Sequence, residues 1–362
     1  MSLAEAEPKP WLRRFRTLPI VDVRRETEDA ISVSFGQPPG LDYTPGQYLI
    51  LRTVLDGEEV RRSYSICSGP DDGEIRIAIK LVPDGRFSSW AHQALVPGHL
   101  IEIMPPEGRF THHPNPRARA TYLAVAAGSG ITPVLAILKS VLTREPGSRF
   151  ILLYGSRSTG LILFREQLEE LKDRYLDRLS VVHILSREQQ DLPILNGRLD
   201  GPKVRALLAG LADPAELDDA FLCGPGRMIE AVSECLVNAG LPPGRVHSER
   251  FTPSGEPVER PRPAILAGPA FATATIIADG IRTDIPVAER ETVLEAALRA
   301  GLDLPYSCRG GMCSTCRARV IEGEVRMRLN YALEPWETNA GYALTCQSEP
   351  TTTHVTVDYD HV

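Results

Sequence analysis

No apolar run in the sequence approaches the ~18 residues needed to span a bilayer. The opening residues, MSLAEAEPKPWLRRF, lack the apolar core of a secretory signal. A cytoplasmic location is therefore expected, where disulfides are disfavoured. Cysteine is scarce, seven in 362 residues, so no disulfide scaffold is available. A basic excess is also missing: 40 Lys and Arg against 47 Asp and Glu leave a net charge of −7. That balance argues against nucleic acid or an anionic membrane as the main partner. Neither the Glu-x-x-His element of di-iron centres nor the Cys-x-His of a Rieske site occurs, and no segment repeats. The chain thus has no evident place to activate oxygen itself. What remains, 43% hydrophobic and 24% charged residues, is the composition of a soluble globular protein long enough for two or three domains.

Three textures follow one another. Residues 11–114 read as all-β: IVDV, AISVSF, QYLILRTV, SYSI and EIRIAIKLV are separated by Gly, Pro and Asp turns, as in an antiparallel barrel. After the Pro-rich joint THHPNPRAR, residues 118–252 alternate strands with helices, TYLAVAA before PVLAILKSVLTRE and RFILLYG before FREQLEELKDRY. That alternation predicts a parallel sheet wrapped by helices. Residues 253–269, rich in Pro and Gly, read as a tether. Residues 270–362 open on a hairpin with Asp279-Gly280 at its turn. The capping box Thr292-Val-Leu-Glu295 then starts a helix that Gly301 can close.

The third segment carries CRGGMCSTC, three of the seven cysteines in nine residues, with Cys346 further on. A structural zinc site would bring two Cys-x2-Cys pairs, and only Cys313 and Cys316 form one. A thioredoxin-like site would leave Cys308 idle. A c-type haem needs His where Arg317 stands. The spacing Cys-x4-Cys-x2-Cys plus one distant Cys is that of a plant-type [2Fe–2S] cluster, and it accommodates Cys308, Cys313, Cys316 and Cys346. Gly310-Gly311 suit a loop whose N–H groups must wrap charged sulfurs. Cys67 and Cys235 read as small core residues.

Two further turns suggest phosphate binding. Gly85-Arg86-Phe87-Ser88 opens the helix SSWAHQAL, and a helix N-terminus attracts phosphate. Gly128-Ser129-Gly130-Ile131-Thr132-Pro133 follows strand YLAVAA, with Thr132 as a candidate cap, and Cys223-Gly224-Pro225 follows a later strand. Both lie at strand carboxyl ends, where ligands bind in open α/β sheets.

With Pro45-Gly46-Gln47-Tyr48 and Arg62-Ser63-Tyr64-Ser65, these motifs resemble the ferredoxin–NADP reductase superfamily, here with a C-terminal plant-type ferredoxin domain of β-grasp fold. The resemblance implies FAD, ahead of FMN. Arg62 would bind flavin phosphate, Tyr64 would stack on the isoalloxazine and Ser65 would sit near its N5. Ser63, Gly85 and Phe87 belong to the same site, and Ile79, Lys80 and Ser88 would contact ribityl and pyrophosphate. The resemblance also places Gly128 to Pro133 at the nucleotide pyrophosphate and Cys223, with Gly224 and Pro225, beside the nicotinamide. Glu249 and Phe251 would lie at the flavin edge, Glu249 as a proton relay or a mere surface ion pair. Arg157 and Ser186-Arg187 would take a 2′-phosphate, favouring NADPH over NADH.

Asp303-Leu-Pro-Tyr-Ser-Cys308, Asn330-Tyr-Ala-Leu-Glu-Pro335 and Gly341-Tyr-Ala-Leu-Thr-Cys346-Gln look like the reductase-subunit family of phenylacetyl-CoA epoxidases, which serve phenylacetate catabolism. That implies electron flow from NADPH through FAD to the cluster and on to subunits of a di-iron oxygenase. Reductases of steroid or aromatic-ring hydroxylases share the architecture, and a redox-sensing flavo-iron–sulfur protein is the alternative of another class. Met312 and Ser314 depart from the smaller residues expected beside Cys313. Arg309, Arg317, Arg319, Arg326 and Arg328 could steer an acidic partner or simply form a solvated face.

Overall fold

Asp56 and Gly57 both adopt positive φ, 54° and 78°, the backbone of a type I′ turn. They fold β4 (Tyr48–Leu55) back on β5 (Glu58–Ser65). Around this hairpin the computed structural model, which describes residues 15–251 and 270–361, places β1 (Arg16–Pro19), β2 (Asp22–Thr27), β3 (Ala30–Ser34), β6 (Arg76–Lys80), α1 (Arg86–Ala94) and β7 (Leu100–Glu107). The strands form two antiparallel sheets, β1-β7-β4-β5 and β2-β3-β6, linked by the bridge Ile66–Ile77. Leu49, Leu51, Ile77 and Ile79 face one core with Phe87 and Ala91 of α1. β1 and β7 are strands that the pattern of apolar runs does not reveal.

The next strands and helices alternate: β8 (Thr121–Ala127), α2 (Ile131–Arg144), β9 (Arg149–Ser156), α3 (Arg165–Arg174), β10 (Leu179–Leu185), α4 (Gly201–Leu208), β11 (Asp219–Gly224), α5 (Gly226–Asn238) and β12 (Val246–Arg250). The sheet is parallel, in the order β10-β9-β8-β11-β12. Along β8, Leu123 and Val125 enter one core while Tyr122, Ala124 and Ala126 enter the other. Burial on both faces explains why β8 reads as a continuous apolar run. The order reverses between β8 and β11, and the crevice at their carboxyl ends is the expected ligand position.

The core under α2 also takes in Ala30, Cys67, Ala78 and Phe110 from the barrel side, so the first two segments make one compact unit within Arg16–Ser254. The Pro-rich joint is pinned by Glu145. This wholly buried carboxylate meets His112 Nε2 at 2.8 Å and accepts from the Asn115 N–H, the Tyr122 hydroxyl and the Ser148 hydroxyl. The tether expected at 253–269 lies outside the described residues.

The second unit lies within Gly255–Val362 and holds β13 (Ala270–Ala278), β14 (Ile281–Ala288), α6 (Val293–Arg299), β15 (Arg317–Glu322), β16 (Val325–Met327), α7 (Pro335–Asn339), β17 (Tyr342–Leu344), β18 (Ser348–Pro350) and β19 (His354–Asp358). Asp279 and Gly280 take φ of 52° and 74° at the β13–β14 turn. Thr292 and Glu295 form the capping box of α6, typically worth about 1 kcal/mol. Gly301, at φ 82°, closes that helix. The five-stranded sheet runs β14-β13-β19-β15-β17, with β13–β19 its parallel pair, and α6 packs beneath it.

Candidate functional site

The thiol loop runs from Cys308 to Cys316 between α6 and β15, and Cys346 arrives from the end of β17. Arg309, Gly311 and Ser314 all take positive φ, so the loop coils back on itself. Gly311 cannot be replaced cheaply, because a Cβ there would meet Leu329 O at 3.0 Å as well as strain the backbone. The coil turns N–H groups towards sulfur: Gly310 and Met312 donate to Cys308 Sγ at 3.3 and 3.5 Å. Thr315 Oγ1 donates to Cys313 Sγ at 3.2 Å. Among the described residues no three His, Cys, Asp or Glu side chains converge as they do around a single metal ion. The thiols pair off instead, Cys308 with Cys313 and Cys316 with Cys346.

One thiol of each pair is held acidic. The Cys313 thiol and the N–H groups of Gly310 and Met312 bring Cys308 down to about 6. The Cys316 thiol moves Cys346 in the same direction. The other thiol of each pair, Cys313 or Cys316, is pushed up by its neighbour and by burial. A buried relay steadies the second pair, since Tyr359 OH donates to Thr345 Oγ1 at 2.7 Å, and Thr345 Oγ1 donates to Cys316 O at 2.9 Å. Of the five arginines expected to steer a partner, Arg317 pairs with the buried Glu337, and Arg326 and Arg328 both pair with Glu349. Arg309 and Arg319 remain exposed.

In the other unit, Arg62, Ser63, Tyr64 and Ser65 occupy the end of β5. The Tyr64 ring lies 5.6 Å from that of Phe87, and burial pushes its phenol well above the ordinary tyrosine range. Gly85 is the N-cap of α1 and no side chain caps that helix, so backbone N–H groups of its first turn face outward for an anion. The Ser88 hydroxyl is engaged locally, accepting from Val82 N–H and donating to Gly85 O. Lys80 pairs with Asp29 at 3.1 Å, and Ile79 is fully buried.

Gly128, Ser129 and Gly130 form a single 3-10 turn that runs straight into Ile131, Thr132 and Pro133 of α2. Thr132 does not cap the helix as the sequence suggests. Its hydroxyl donates back to Ser129 O at 2.9 Å, because Gly130 is itself helical and leaves no extended N-cap position. A Cβ on Gly130 would come within 2.2 Å of Cys223 O, so the turn after β8 and the turn after β11 touch only because that residue is glycine. Gly224 and Pro225 complete the second turn, Gly224 at φ 153°. Tyr154, which the sequence does not single out, is fully buried and donates its hydroxyl to Gly128 O at 3.0 Å.

Ser65, Cys223 and Glu249 converge from three strands. Cys223 faces Glu249 across the β11–β12 register, and Ser65 Oγ donates to Glu249 Oε2 at 3.3 Å. Burial pushes the Glu249 carboxyl up to about 8, against the lowering hydrogen bond from Ser65. Burial also pushes the Cys223 thiol up, so it stays protonated. A neutral carboxylic acid, a thiol and a hydroxyl in one crevice can donate and relay protons near neutral pH. Phe251 packs on the core edge beside them. Arg157 and Arg187 are exposed at the ends of β9 and β10, where the Arg187 N–H donates to Arg157 O at 2.8 Å and Ser186 N–H donates to Ser156 O at 3.0 Å. Cys67 is a buried core thiol, whereas Cys235 is only half-buried; each donates to a backbone carbonyl.

Models of three families match the chain: the oxidoreductase FAD-binding domain over residues 18–112, the oxidoreductase NAD-binding domain over 124–234 and the 2Fe-2S iron-sulfur cluster binding domain over 276–351. A subunit of the 1,2-phenylacetyl-CoA epoxidase of Escherichia coli K12 is 42% identical over 96% of this chain and 98% of its own. The ferredoxin reductase component of 3-ketosteroid-9-alpha-monooxygenase from Rhodococcus rhodochrous is 35% identical over 94% of this chain and 96% of its own. Among solved structures, an intact type IV self-sufficient cytochrome P450 monooxygenase aligns with a TM-score of 0.70 at 26% identity, over 95% of this chain and 41% of that longer one.

Proposed function

Since the chain belongs to the oxygenase reductase components that join FAD-binding, NAD-binding and [2Fe–2S] domains in one polypeptide, we propose that it carries electrons from NADPH, through FAD, to a phenylacetyl-CoA epoxidase in the cytoplasm. It is an electron-transfer reductase using a flavin, a pyridine nucleotide and a [2Fe–2S] cluster, with a protein as acceptor. A bound flavin accepts a hydride and gives up single electrons, which joins a two-electron donor to a one-electron cluster.

The residues take these roles. Arg62 and the first-turn N–H groups after Gly85 hold flavin phosphates, and Tyr64 covers the ring. Gly128–Pro133 cradles the nucleotide pyrophosphate. Ser65 and Glu249 manage a proton beside the flavin, and Cys223 abuts the nicotinamide. Cys308 and Cys313 hold one iron and Cys316 and Cys346 the other. The pairing of the thiols supports that division.

The observation that carries the choice of acceptor is the 42% identity over nearly the full length of both chains. Reconstitution with the oxygenase subunits of a phenylacetyl-CoA epoxidase and NADPH should consume phenylacetyl-CoA. Turnover only with a steroid hydroxylase would reassign the acceptor.

For the nucleotide, the exposed Arg157 and Arg187 supply two cations on adjacent strand ends for a 2′-phosphate. Glu188 favours the second reading, NADH, because Thr159 holds its carboxylate ionised in the same loop through a backbone and a hydroxyl donor at 2.7 and 2.6 Å. Replacing both arginines by alanine should raise KM for NADPH about tenfold or more, leaving KM for NADH within about twofold. Equal effects on the two nucleotides would favour NADH as the natural donor.

A further inference from the structure

Helix α2 starts at the Gly128–Pro133 turn and ends against the barrel. Its last two turns carry three side chains bonded to one barrel loop, the segment between β5 and β6. Lys139 Nζ meets Asp72 Oδ2 at 2.5 Å, and Arg144 donates through Nε and Nη2 to both oxygens of Asp71 at 2.8 and 2.7 Å. Thr143 Oγ1 donates to Asp71 Oδ2 at 3.3 Å. Asp72 is fixed in turn, accepting from the Gly69 N–H at 2.9 Å. Lys139 is itself buried, its side chain 9% exposed.

Two glycines remove the remaining slack. A Cβ on Gly69 would press on Lys139 Cβ at 3.0 Å, and one on Gly46 would meet Ile137 Cδ1 at 3.2 Å and Phe110 O at 1.8 Å. The helix therefore lies directly against barrel backbone. The loop that grips it continues from Ser65, while the opposite end of the helix is the nucleotide turn.

We propose that Asp71 and Asp72 are positioning residues for hydride transfer: by gripping Lys139 and Arg144 they hold α2, and with it the nucleotide turn, at a set distance from the flavin strand. The proposal rests on the reading of these two sites as flavin and nucleotide sites. Neither aspartate is among the residues assigned to either cofactor. Transfer between two bound rings is steep in their separation, and a misplacement of about 1 Å can cost about 100-fold.

The test compares wild type with Asp72→Asn and Asp71→Asn holoenzymes under anaerobic stopped flow with NADPH. Asp71→Asn guards against misfolding, because its pair with Arg144 is 47% and 43% exposed. The expected result is a limiting rate of flavin bleaching about 10- to 100-fold lower. The nucleotide Kd, read from the concentration dependence, should stay within about twofold, and the isotope effect with NADPH deuterated at nicotinamide C4 should be larger. Adding Lys139→Met to Asp72→Asn should cost little more, since the two act as one unit. Unchanged limiting rates in both variants, a loss confined to Kd, or additive losses would overturn the proposal. Failure of the wild type to bleach would instead sink the site reading beneath it.

Discussion

Cys346→Ser should lower single-electron delivery to cytochrome c or to the oxygenase by on the order of 100-fold or more, because metal affinity follows the thiolate set and its supporting shell. Flavin bleaching by NADPH should persist, since the flavin and nucleotide sites lie in the other unit within Arg16–Ser254. The structure makes this substitution severe in a specific way. Cys346 is the thiolate-favouring member of its pair with Cys316, and Gln347 Nε2, which approaches its sulfur, also donates to Arg309 O at 2.9 Å. Losing the Cys346 sulfur would leave Cys316 without its partner thiol. The [2Fe–2S] visible and electron paramagnetic resonance signals should fall together with acceptor reduction. A variant that kept full acceptor reduction without those signals would show that electrons leave by another route.

The second large effect belongs to Glu249. Glu249→Gln and Ser65→Ala should each slow flavin reduction by about 100-fold, the usual worth of a positioned proton-transfer group, with a smaller effect on nucleotide affinity. The pH dependence separates Glu249 from a bystander. Its folded-state carboxyl lies near 8, above the ordinary 4.5. Between those values the folded protein keeps a proton that the unfolded chain has released. The stabilisation tied to that proton is complete below about 4.5, declines as pH rises through the window, and is gone above about 8. Thermal melting of the wild type between pH 5 and 9 should therefore fall more steeply than that of Glu249→Gln, which has no such proton to lose. Parallel melting profiles would mean that Glu249 ionises as an ordinary surface carboxylate.

The chemistry of the chain is more legible in its sequence than the joints that align it. Cysteine spacing and Gly310-Gly311 are local, and local spacing survives folding unchanged. The same holds for the capping box at Thr292 and the Asp279-Gly280 turn. The β7 strand escapes notice because Pro105 and Pro106 interrupt its end, and β1 because Arg16–Pro19 is short and pairs only along its edge with β7. Thr132 misleads because its role depends on whether the preceding turn is extended or helical, and only the backbone decides that. Lys139 and Asp72, 67 positions apart, carry no mutual signal in one sequence, nor do Tyr154 and Gly128. Arg326 and Arg328 look like a docking face until Glu349, more than twenty positions on, proves to be their partner.

The order of strands in the iron-binding unit governs when it can be assembled. Its middle strand, β19, flanked by β13 and β15, is also the last strand of that sheet to emerge from the ribosome. Until residue 358 has been synthesised, β13 and β15 have no strand between them. A fragment ending before His354 would lack the strand that joins β13 to β15, leaving the sheet in two pieces, β14-β13 and β15-β17.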